Sequence, residues 1–419
     1  MPTRKHTVLL AVIGFGCTSF LQVARRGSSV APLLPIMAAV FIAFLVIGAA
    51  LPVLPLHVHE TLGLGTFLVG LVAGSQFAAA IVSRVWAGRH ADRSGAKAAV
   101  VMGLLIAAAA GLLYFLSLSF ITTPAMSVTF LLLGRALLGV GESFIITGAQ
   151  TWGLAILGVR NTSKVLAWVG SAMFGAFAAG APIGTALYAR YGFSGIALAT
   201  TLLPVATLAL VATLPRVEPT QRMQAGFLKV FSAVWVPGTA SALSSIGFGA
   251  MTAFSALLFV GRGWAGWSAF TVFATAFILT RFFLGHLADR FGGAKVALIC
   301  VLVEAAGLAL IWASPWLALA LLGAALTGFG YSLVYPGFGV EAVRSAPADN
   351  RGLATGAYTA FLDVALGFGT PALGLLADFT GLGAAFVASM VAAIASAAIA
   401  GAMLYAPRTQ QPDHALARC

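Results

Sequence analysis

The chain has 419 residues, of which 60% are hydrophobic and only 8% are charged, and its mean hydropathy is +1.01. This composition excludes a soluble protein of two or three domains, because the apolar runs repeatedly reach the length that crosses a bilayer. A lipid-exposed backbone must satisfy its own hydrogen bonds, so the spans are predicted to be helices. The expected fold class is an all-α, polytopic membrane protein.

The cations alternate between the loops. Of the 23 Lys and Arg residues, Arg190 and Arg262 fall in one set of loops and Arg135 falls inside a span. The other 20, which is 23 less these three, are assigned to the opposite set of loops and to the tails. This distribution follows the positive-inside rule and predicts that both termini are cytoplasmic. The net charge of +12 is therefore not evidence for a nucleic-acid partner, and the lipid bilayer is the expected partner.

Residues 1–32 are predicted to form an amino-terminal extension outside the core. The apolar stretch 8–23 is only sixteen residues long and has cations on both sides. Three interpretations stay open for it: a signal-like segment, a short extra helix, or a start codon placed too early. We favour an extension that does not span the membrane.

Twelve spans are predicted after this extension, in two halves of six. The halves are 33–214 and 230–405, separated by a polar linker at 215–229 and followed by a cytoplasmic tail at 406–419. The predicted spans are 33–56, 66–87, 97–118, 126–150, 164–188, 193–214, 230–258, 266–287, 294–313, 316–340, 352–377 and 381–405.

The two halves repeat each other in sequence. Residues 84–92 match residues 281–289 at an offset of 197, and residues 139–143 match 328–332 at an offset of 189. Repeats at corresponding places are hard to produce by chance. Two parallel six-helix halves are the plan of a transporter that rocks around a central site.

The loop 88–97 carries three cations and one carboxylate between two spans, and nearly the same residues return at 285–295. Glycine allows a tight turn, and the charged side chains can bond to helix ends. An ordinary cytoplasmic turn is the structural alternative, but the repetition favours a conformational gate. The candidate gate residues are Gly88, Asp92, Arg93, Lys97, Gly285, Asp289 and Arg290.

Three acids are predicted to lie inside spans. Glu142 follows Arg135 by seven residues, so both lie on one face of the fourth span. An intramembrane ion is costly and normally faces a partner or a wet cavity, which suits a proton-binding carboxylate. The alternative is a purely structural pair. Asp363 in the eleventh span is the second candidate for proton coupling or substrate binding, whereas Glu304 in the ninth span is expected to be structural.

The charges do not share the symmetry of the fold. Asp363 is matched in the first half by Phe174, and Glu142 is matched in the second half by Tyr331. This asymmetry suits a division of labour between coupling and substrate binding. Gly180, Pro182 and Gly184 of the fifth span are interpreted either as a helix hinge or as general close helix contact. The candidate cavity residues are Gln76, Gln150, Tyr331 and Tyr335.

The sequence carries no constellation for catalysis or cofactor binding. Motifs for a phosphate-cradling loop, a zinc-binding helix and a nucleophile elbow are absent. The three cysteines are scattered without metal or redox spacing. We therefore expect no enzyme, no metal and no cofactor, with a proton gradient as the energy source.

With these motifs in hand, the chain resembles the major facilitator superfamily from about residue 33 to residue 405. The two charged loops resemble that family's signature between spans two and three and between spans eight and nine. Arg135-x-x-x-Gly139-x-Gly141 resembles its fourth-span pattern, associated there with proton coupling. The range 180–184 resembles its fifth-span pattern, typical of antiporters, although Ala181 interrupts the Gly-Pro pair.

More narrowly, residues 141–143, 302–304 and 356–363 resemble the YhhS/YfcJ group of bacterial inner-membrane proteins. That resemblance implies an inner-membrane permease of the efflux type. We expect a monomer, with proton-coupled efflux (antiport) of a small solute or drug-like compound as its function. A proton symporter that imports a sugar or organic acid uses the same fold and stays open. A membrane sensor or scaffold without transport is the alternative from another class. The sequence does not reveal the substrate.

Overall fold

The computed structural model describes residues 31–158, 161–217, 227–345 and 351–405. Within these ranges the chain is almost entirely helical, as predicted, and eleven helical stretches are long and apolar enough to cross a membrane. One of them, Trp168–Ala212, contains two spans joined at Gly192, whose φ of 62° and ψ of −159° break the helix. The described residues therefore contain twelve spans. The apolar stretch 8–23 and the predicted tail 406–419 lie outside them.

We number the spans α1 to α12 in chain order. The first half consists of α1 Ala31–Thr61, α2 Thr66–Ser94, α3 Ala96–Leu118, α4 Pro124–Leu157, α5 162–191 and α6 193–212. The second half consists of α7 Phe227–Gly261, α8 Gly266–Leu284, α9 Gly293–Ala313, α10 Leu317–Ser345, α11 351–380 and α12 Leu382–Tyr405.

The predicted linker is only partly described. Residues 215–217 are non-helical, and α7 begins at Phe227, three residues before the predicted boundary. Two spans contain a π-helical turn, at His57–Thr61 in α1 and at Ala365–Gly369 in α11. Such turns are rare in proteins, and those that occur are often at functional sites. The second one begins two residues after Asp363.

The repeat in the sequence is also a repeat in the backbone. Gly95 ends α2 with a φ of 92°, and Gly292, 197 residues later, precedes α9 with a φ of 93°. Residues with a side chain rarely adopt this left-handed region, so both turns require glycine. One difference is that α2 continues through Gly88, whereas α8 ends at Leu284 and a short helix, Leu287–Phe291, follows.

The two halves meet along α2 and α11. A Cβ atom on Gly74 would lie 2.8 Å from the carbonyl oxygen of Gly367, and a Cβ on Gly367 would lie 2.9 Å from the backbone nitrogen of Ala78. Gly70 and Gly374 sit equally close to backbone atoms of the opposite helix. Small residues at this seam let the two helices approach within backbone contact, as is common between helices in membranes.

Candidate functional site

Two polar side chains of α2 bind acids of different helices: Gln76 binds one in α4 and Arg84 binds one in α11. Gln76 is fully buried, and its Nε2 atom donates a hydrogen bond of 2.5 Å to Oε2 of Glu142 in α4. Among the described residues, Oε1 of Gln76 has no hydrogen-bond partner. An amide carries both a donor and an acceptor, so Gln76 can bond to a carboxylate or to a protonated carboxyl group of Glu142.

Close contact between α2 and α4 makes this bond geometrically accessible. A Cβ atom on Gly139 would collide with the backbone carbonyl of Gln76. Two residues on, a Cβ on Gly141 would lie 2.8 Å from the carbonyl oxygen of Gly103 in α3. The Gly-x-Gly pair therefore seats α4 against two neighbours and brings Glu142 within reach of Gln76.

Arg84 joins the two halves through Asp363 of α11. Its Nε atom lies 2.6 Å from Oδ2 of Asp363, and its Nη2 atom lies 2.5 Å from the same oxygen. The Asp363 side chain is only 4% exposed, whereas that of Arg84 is 23% exposed. Arg84 is also within electrostatic range of Glu142, so one cation faces two carboxylates.

Arg135 does not form the predicted pair with Glu142. The described residues contain no ion pair between them within 4.0 Å. Arg135 is fully buried, and its Nε atom makes one long contact of 3.5 Å with the carbonyl oxygen of Val72. Its Nη1 atom lacks a hydrogen-bond partner within the described ranges. The two residues share a helix face, as expected, but Glu142 turns to the neutral Gln76.

A second contact between the halves lies at the opposite end of α2. Asp378 of α11 accepts hydrogen bonds from the backbone N–H groups of Thr66, at 2.7 Å, and Phe67, at 3.0 Å. Its Oδ1 atom also accepts from the hydroxyl of Thr66 at 2.6 Å. The first residue of α2 follows Gly65, so a carboxylate of the other half caps this helix where its backbone donors are free and its dipole is positive.

In the first predicted gate loop, Lys97 has defined partners. Its Nζ atom donates to the carbonyl oxygens of Ala212, at 2.8 Å, and Leu214, at 2.6 Å. A cation is favoured at the carboxyl end of a helix, so Lys97 ties the start of α3 to the end of α6. Arg93 is exposed and Asp92 is half-buried, and the structure gives neither an ion-pair partner among the described residues. Gly88 has open space around its Cα atom.

The second gate loop differs in its contacts. Gly285 follows the last residue of α8, and its N–H bonds to the carbonyl oxygen of Arg281. The guanidinium of Arg290 lies 5.3 Å from the ring centroid of Phe291. The side chain of Asp289 lies outside the described part of the structure. The gate role of both loops stays a prediction.

Gly180 and Gly184 lie within the first half. A Cβ on Gly180 would lie 2.7 Å from the backbone nitrogen of Ala49, and one on Gly184 would meet the same residue of α1. The helix continues through Pro182, and the break within this helical stretch is at Gly192. The three residues thus contribute close contact between α1 and α5, and a hinge function stays a prediction.

The candidate cavity residues fall in both halves. Tyr331 is buried and its hydroxyl donates to Ser245 at 3.2 Å, while the hydroxyls of Tyr335 and Thr359 are 2.7 Å apart. Gln150 is half-buried. Glu304 is fully buried inside the second half, where Ser244 of α7 donates to it at 2.5 Å.

Sequence reasoning missed Arg84 and Arg281. Both were counted with the loop cations, although the predicted spans 66–87 and 266–287 include them. Their equivalent places in two repeated spans were the signal that could have identified them. Asp378 was also missed, because a single acid near a span end gives no sign of a partner more than 300 residues away.

The comparisons with known proteins agree with this architecture. The model of the Major Facilitator Superfamily matches residues 36–269 and 260–418. The chain belongs to the major facilitator superfamily. An uncharacterised transporter of this type from Salmonella typhimurium is 44% identical over 88% of this chain and 95% of its own length. The uncharacterised transporter YhhS of Escherichia coli is 38% identical over 89% of this chain and 92% of its own length.

Solved structures of this superfamily share the fold. A D-xylose-proton symporter has a TM-score of 0.73 at 14% sequence identity, covering 88% of this chain and 97% of its own. A variant of the nucleoside transporter NupG has a TM-score of 0.71 at 15% identity, covering 89% of this chain and 99% of its own. The family match and the relatives together make the protein a multi-pass membrane transporter of the secondary type. Members of this family are generally not enzymes.

Proposed function

We propose that the protein couples proton entry to the export of a small solute across the bacterial inner membrane, with Glu142 as the proton carrier. The half-buried carboxylate of Glu142 bonds to the neutral amide of Gln76, whereas the buried carboxylate of Asp363 is held by Arg84. The Gln76 amide can bond to both protonation states of Glu142. This contrast between the two acids is the observation that carries the proposal.

The basic side of the bundle, where the two charged loops lie, faces the cytoplasm in this proposal. The halves rock about the seam between α2 and α11, so that the central site opens to one side at a time. Arg84 lies within electrostatic range of both Asp363 and Glu142. A change in the charge of Glu142 therefore alters the electrostatic environment of the ion pair that joins the halves, which gives a physical route from protonation to conformation.

The fifth-span motif favours antiport over symport. The two are distinguished by whether protons move against the substrate or together with it. In everted membrane vesicles with an acidified interior, an antiporter releases protons when its substrate is added outside. The assay follows the fluorescence of a pH-sensitive dye in the vesicles while a panel of organic anions and organic cations is added. At least one compound should dissipate part of the pH gradient in vesicles with the wild-type protein.

The variant Glu142→Gln keeps the size of the side chain and removes its titratable group. We expect it to fold, as judged by size-exclusion chromatography, and to show no substrate-driven loss of the pH gradient. Arg190→Gln, a change at an exposed position in the last turn of α5, is the matched control and should behave like the wild type. A full response from Glu142→Gln would refute the assignment of Glu142. Proton entry together with the substrate into right-side-out vesicles, without proton release from everted vesicles, would support the symport alternative.

A further inference from the structure

Arg281 occupies in α8 the place that Arg84 occupies in α2, at the offset of 197 that relates the two charged loops. The helix contacts follow the same relation. Gly328 of α10 meets the backbone carbonyl of Phe273 as Gly139 of α4 meets that of Gln76, and 273 is 76 plus 197. The backbones around the two arginines therefore have the same plan, and the sites differ in their side chains.

The partners of Arg84 are replaced by uncharged residues around Arg281. Asp363, which faces Arg84, corresponds to Phe174 at the offset of 189, and the guanidinium carbon of Arg281 lies 5.2 Å from the ring centroid of Phe174. Glu142 corresponds to Tyr331, which is in turn an electrostatic neighbour of Arg281. The same backbone plan thus places one carboxylate in contact with Arg84 and a second within electrostatic range, whereas the described residues give Arg281 no carboxylate partner.

The two guanidinium nitrogens that Arg84 uses to bind Asp363 are the same two that lack a partner among the described residues in Arg281. In Arg84, Nε and Nη2 both contact the carboxylate of Asp363. In Arg281, Nε and Nη2 are buried and have no hydrogen-bond partner within the described residues. These two atoms form one edge of the guanidinium, which matches a carboxylate, sulfonate or phosphonate in bidentate geometry.

Aromatic contacts do not satisfy this edge. Phe174 and Phe277 lie 5.2 Å and 5.4 Å from the guanidinium carbon, and ring faces attract the cation without accepting its in-plane N–H groups. A buried cation without a counter-ion is costly in a membrane protein and marks a functional site by default. The Arg281 side chain as a whole is half-buried, and the buried part includes its Nε and Nη2 atoms.

We propose that the Nε–Nη2 edge of Arg281 binds the acidic group of an organic anion, which is the transported substrate. The anion takes the place relative to Arg281 that the Asp363 carboxylate takes relative to Arg84. It supplies the negative charge that Phe174, the counterpart of Asp363, lacks. This inference rests on the proposed transport function and adds the class of substrate. Phe174 and Phe277, whose rings contact Arg281, line a void of only about 10 Å³ together with five other residues.

The test uses three aromatic compounds that differ only in one group: 2-naphthoate, 2-naphthamide and 2-naphthylmethylamine. Aliphatic carboxylates, sulfonates and phosphonates extend the anionic arm. Ligand binding to purified full-length protein in zwitterionic detergent is measured by thermal shift, because a ligand that binds the native state raises its Tm. Anions should stabilise the wild type in a concentration-dependent manner, and the amide and the amine should not.

Two variants assign the effect to Arg281. Arg281→Gln should weaken anion binding by about tenfold or more, the loss expected for a charge-assisted hydrogen-bonded contact. Phe174→Asp keeps Arg281 and places a carboxylate at the position equivalent to Asp363, so it should also abolish anion binding. Arg190→Gln should bind like the wild type. Phe174→Asp retains the arginine, so its loss of binding, once size-exclusion chromatography shows that the variant is folded, assigns the effect to the occupied edge.

Several outcomes would overturn this proposal. These are stabilisation by the amine alone, anion binding that persists in Phe174→Asp, or no stabilisation by any anion of the series. Stabilisation of the wild type by phosphatidylglycerol but by no soluble anion would also overturn it, because Arg281 would then serve the bilayer. Proton release driven by organic cations, lost in Glu142→Gln but kept in Arg281→Gln, would refute the anion site and leave the proposed coupling intact.

Discussion

At the scale of single residues, the polar side chains in the interior differ in the kind of partner that each one has. Asp363 has a cation, Glu142 has an amide, and Arg281 has two buried donors without partners in the described structure. The cost of an unpaired polar group in a membrane interior makes such differences informative. A carboxylate with a neutral partner suits proton exchange, and an arginine with a free edge suits an anion.

Glycine positions set the distances on which these pairs depend. Gly139→Ala would place a methyl group against the carbonyl of Gln76, push α4 away from α2 and lengthen the contact between Gln76 and Glu142. Overcrowding of this kind destabilises by about 1–3 kcal/mol. We expect a lower Tm for Gly139→Ala, measured by thermal unfolding of the purified protein.

The matched control for this change is Gly401→Ala in α12, where nothing lies within 4 Å of the added methyl. It should unfold like the wild type. Gly328→Ala, the equivalent position in the second half, should be destabilised like Gly139→Ala, because its methyl would meet the carbonyl of Phe273. Equal Tm values for Gly139→Ala and Gly401→Ala would contradict the account of this contact.

The acids and their partners were not equally predictable from the sequence. Glu142 and Asp363 were identified because an acid within an apolar run is conspicuous. Their partners were not, since the choice between Arg135 and Gln76 for Glu142 depends on how α4 is rotated against α2. The pairing of Arg84 with Asp363 joins residues 279 positions apart, and helical periodicity carries no information on such distances.

At the scale of helices, two contacts at opposite ends of α2 join it to α11. Arg84 binds Asp363 towards the basic side, and Asp378 caps the first turn of α2 at the other side. The two contacts are eighteen residues apart on α2, which is about 27 Å along a helix. Opening the bundle towards the basic side must break the contact of Arg84 with Asp363, and opening it towards the other side must break the Asp378 cap.

Asp378→Asn should therefore favour the state that is open at the amino-terminal end of α2. Asn keeps one acceptor oxygen but loses the negative charge, which at a helix amino terminus is worth about 0.3–1 kcal/mol. Since Asp378 is exposed we expect about 0.5 kcal/mol, roughly a twofold shift in population. The measurement is the distance distribution between spin labels at residues 61 and 380, which lie at exposed ends of α1 and α11. Asn should add a population at longer distances.

Asp92→Asn is the control for this experiment, because it removes a carboxylate at the opposite side of the membrane. Its distances between residues 61 and 380 should show no gain in the longer population. If Asp378→Asn leaves the distribution as it is in the wild type, the cap does not hold the halves together.

At the scale of the whole molecule, a symmetric backbone carries an asymmetric set of charges. The repeat was predictable because matched glycines and loop motifs recur at fixed offsets, and Gly95 and Gly292 show it in their backbone angles. The contact between the halves was not predictable, because it depends on glycines that resemble those of any close helix pair. In this account one half of the symmetric interior exchanges a proton while its counterpart binds an anion.

The most direct test of this account is infrared difference spectroscopy on purified protein in lipid while the pH is changed. It detects the carbonyl stretch of a protonated carboxyl group and needs no knowledge of the substrate. We predict a band that appears as the pH falls, that is absent from Glu142→Gln and that persists in Asp363→Asn. It persists because the Asp363 carboxylate, paired with Arg84 in the wild type, does not contribute to the band. A band that survives in Glu142→Gln and disappears in Asp363→Asn would contradict the assignment of Glu142 as the proton carrier.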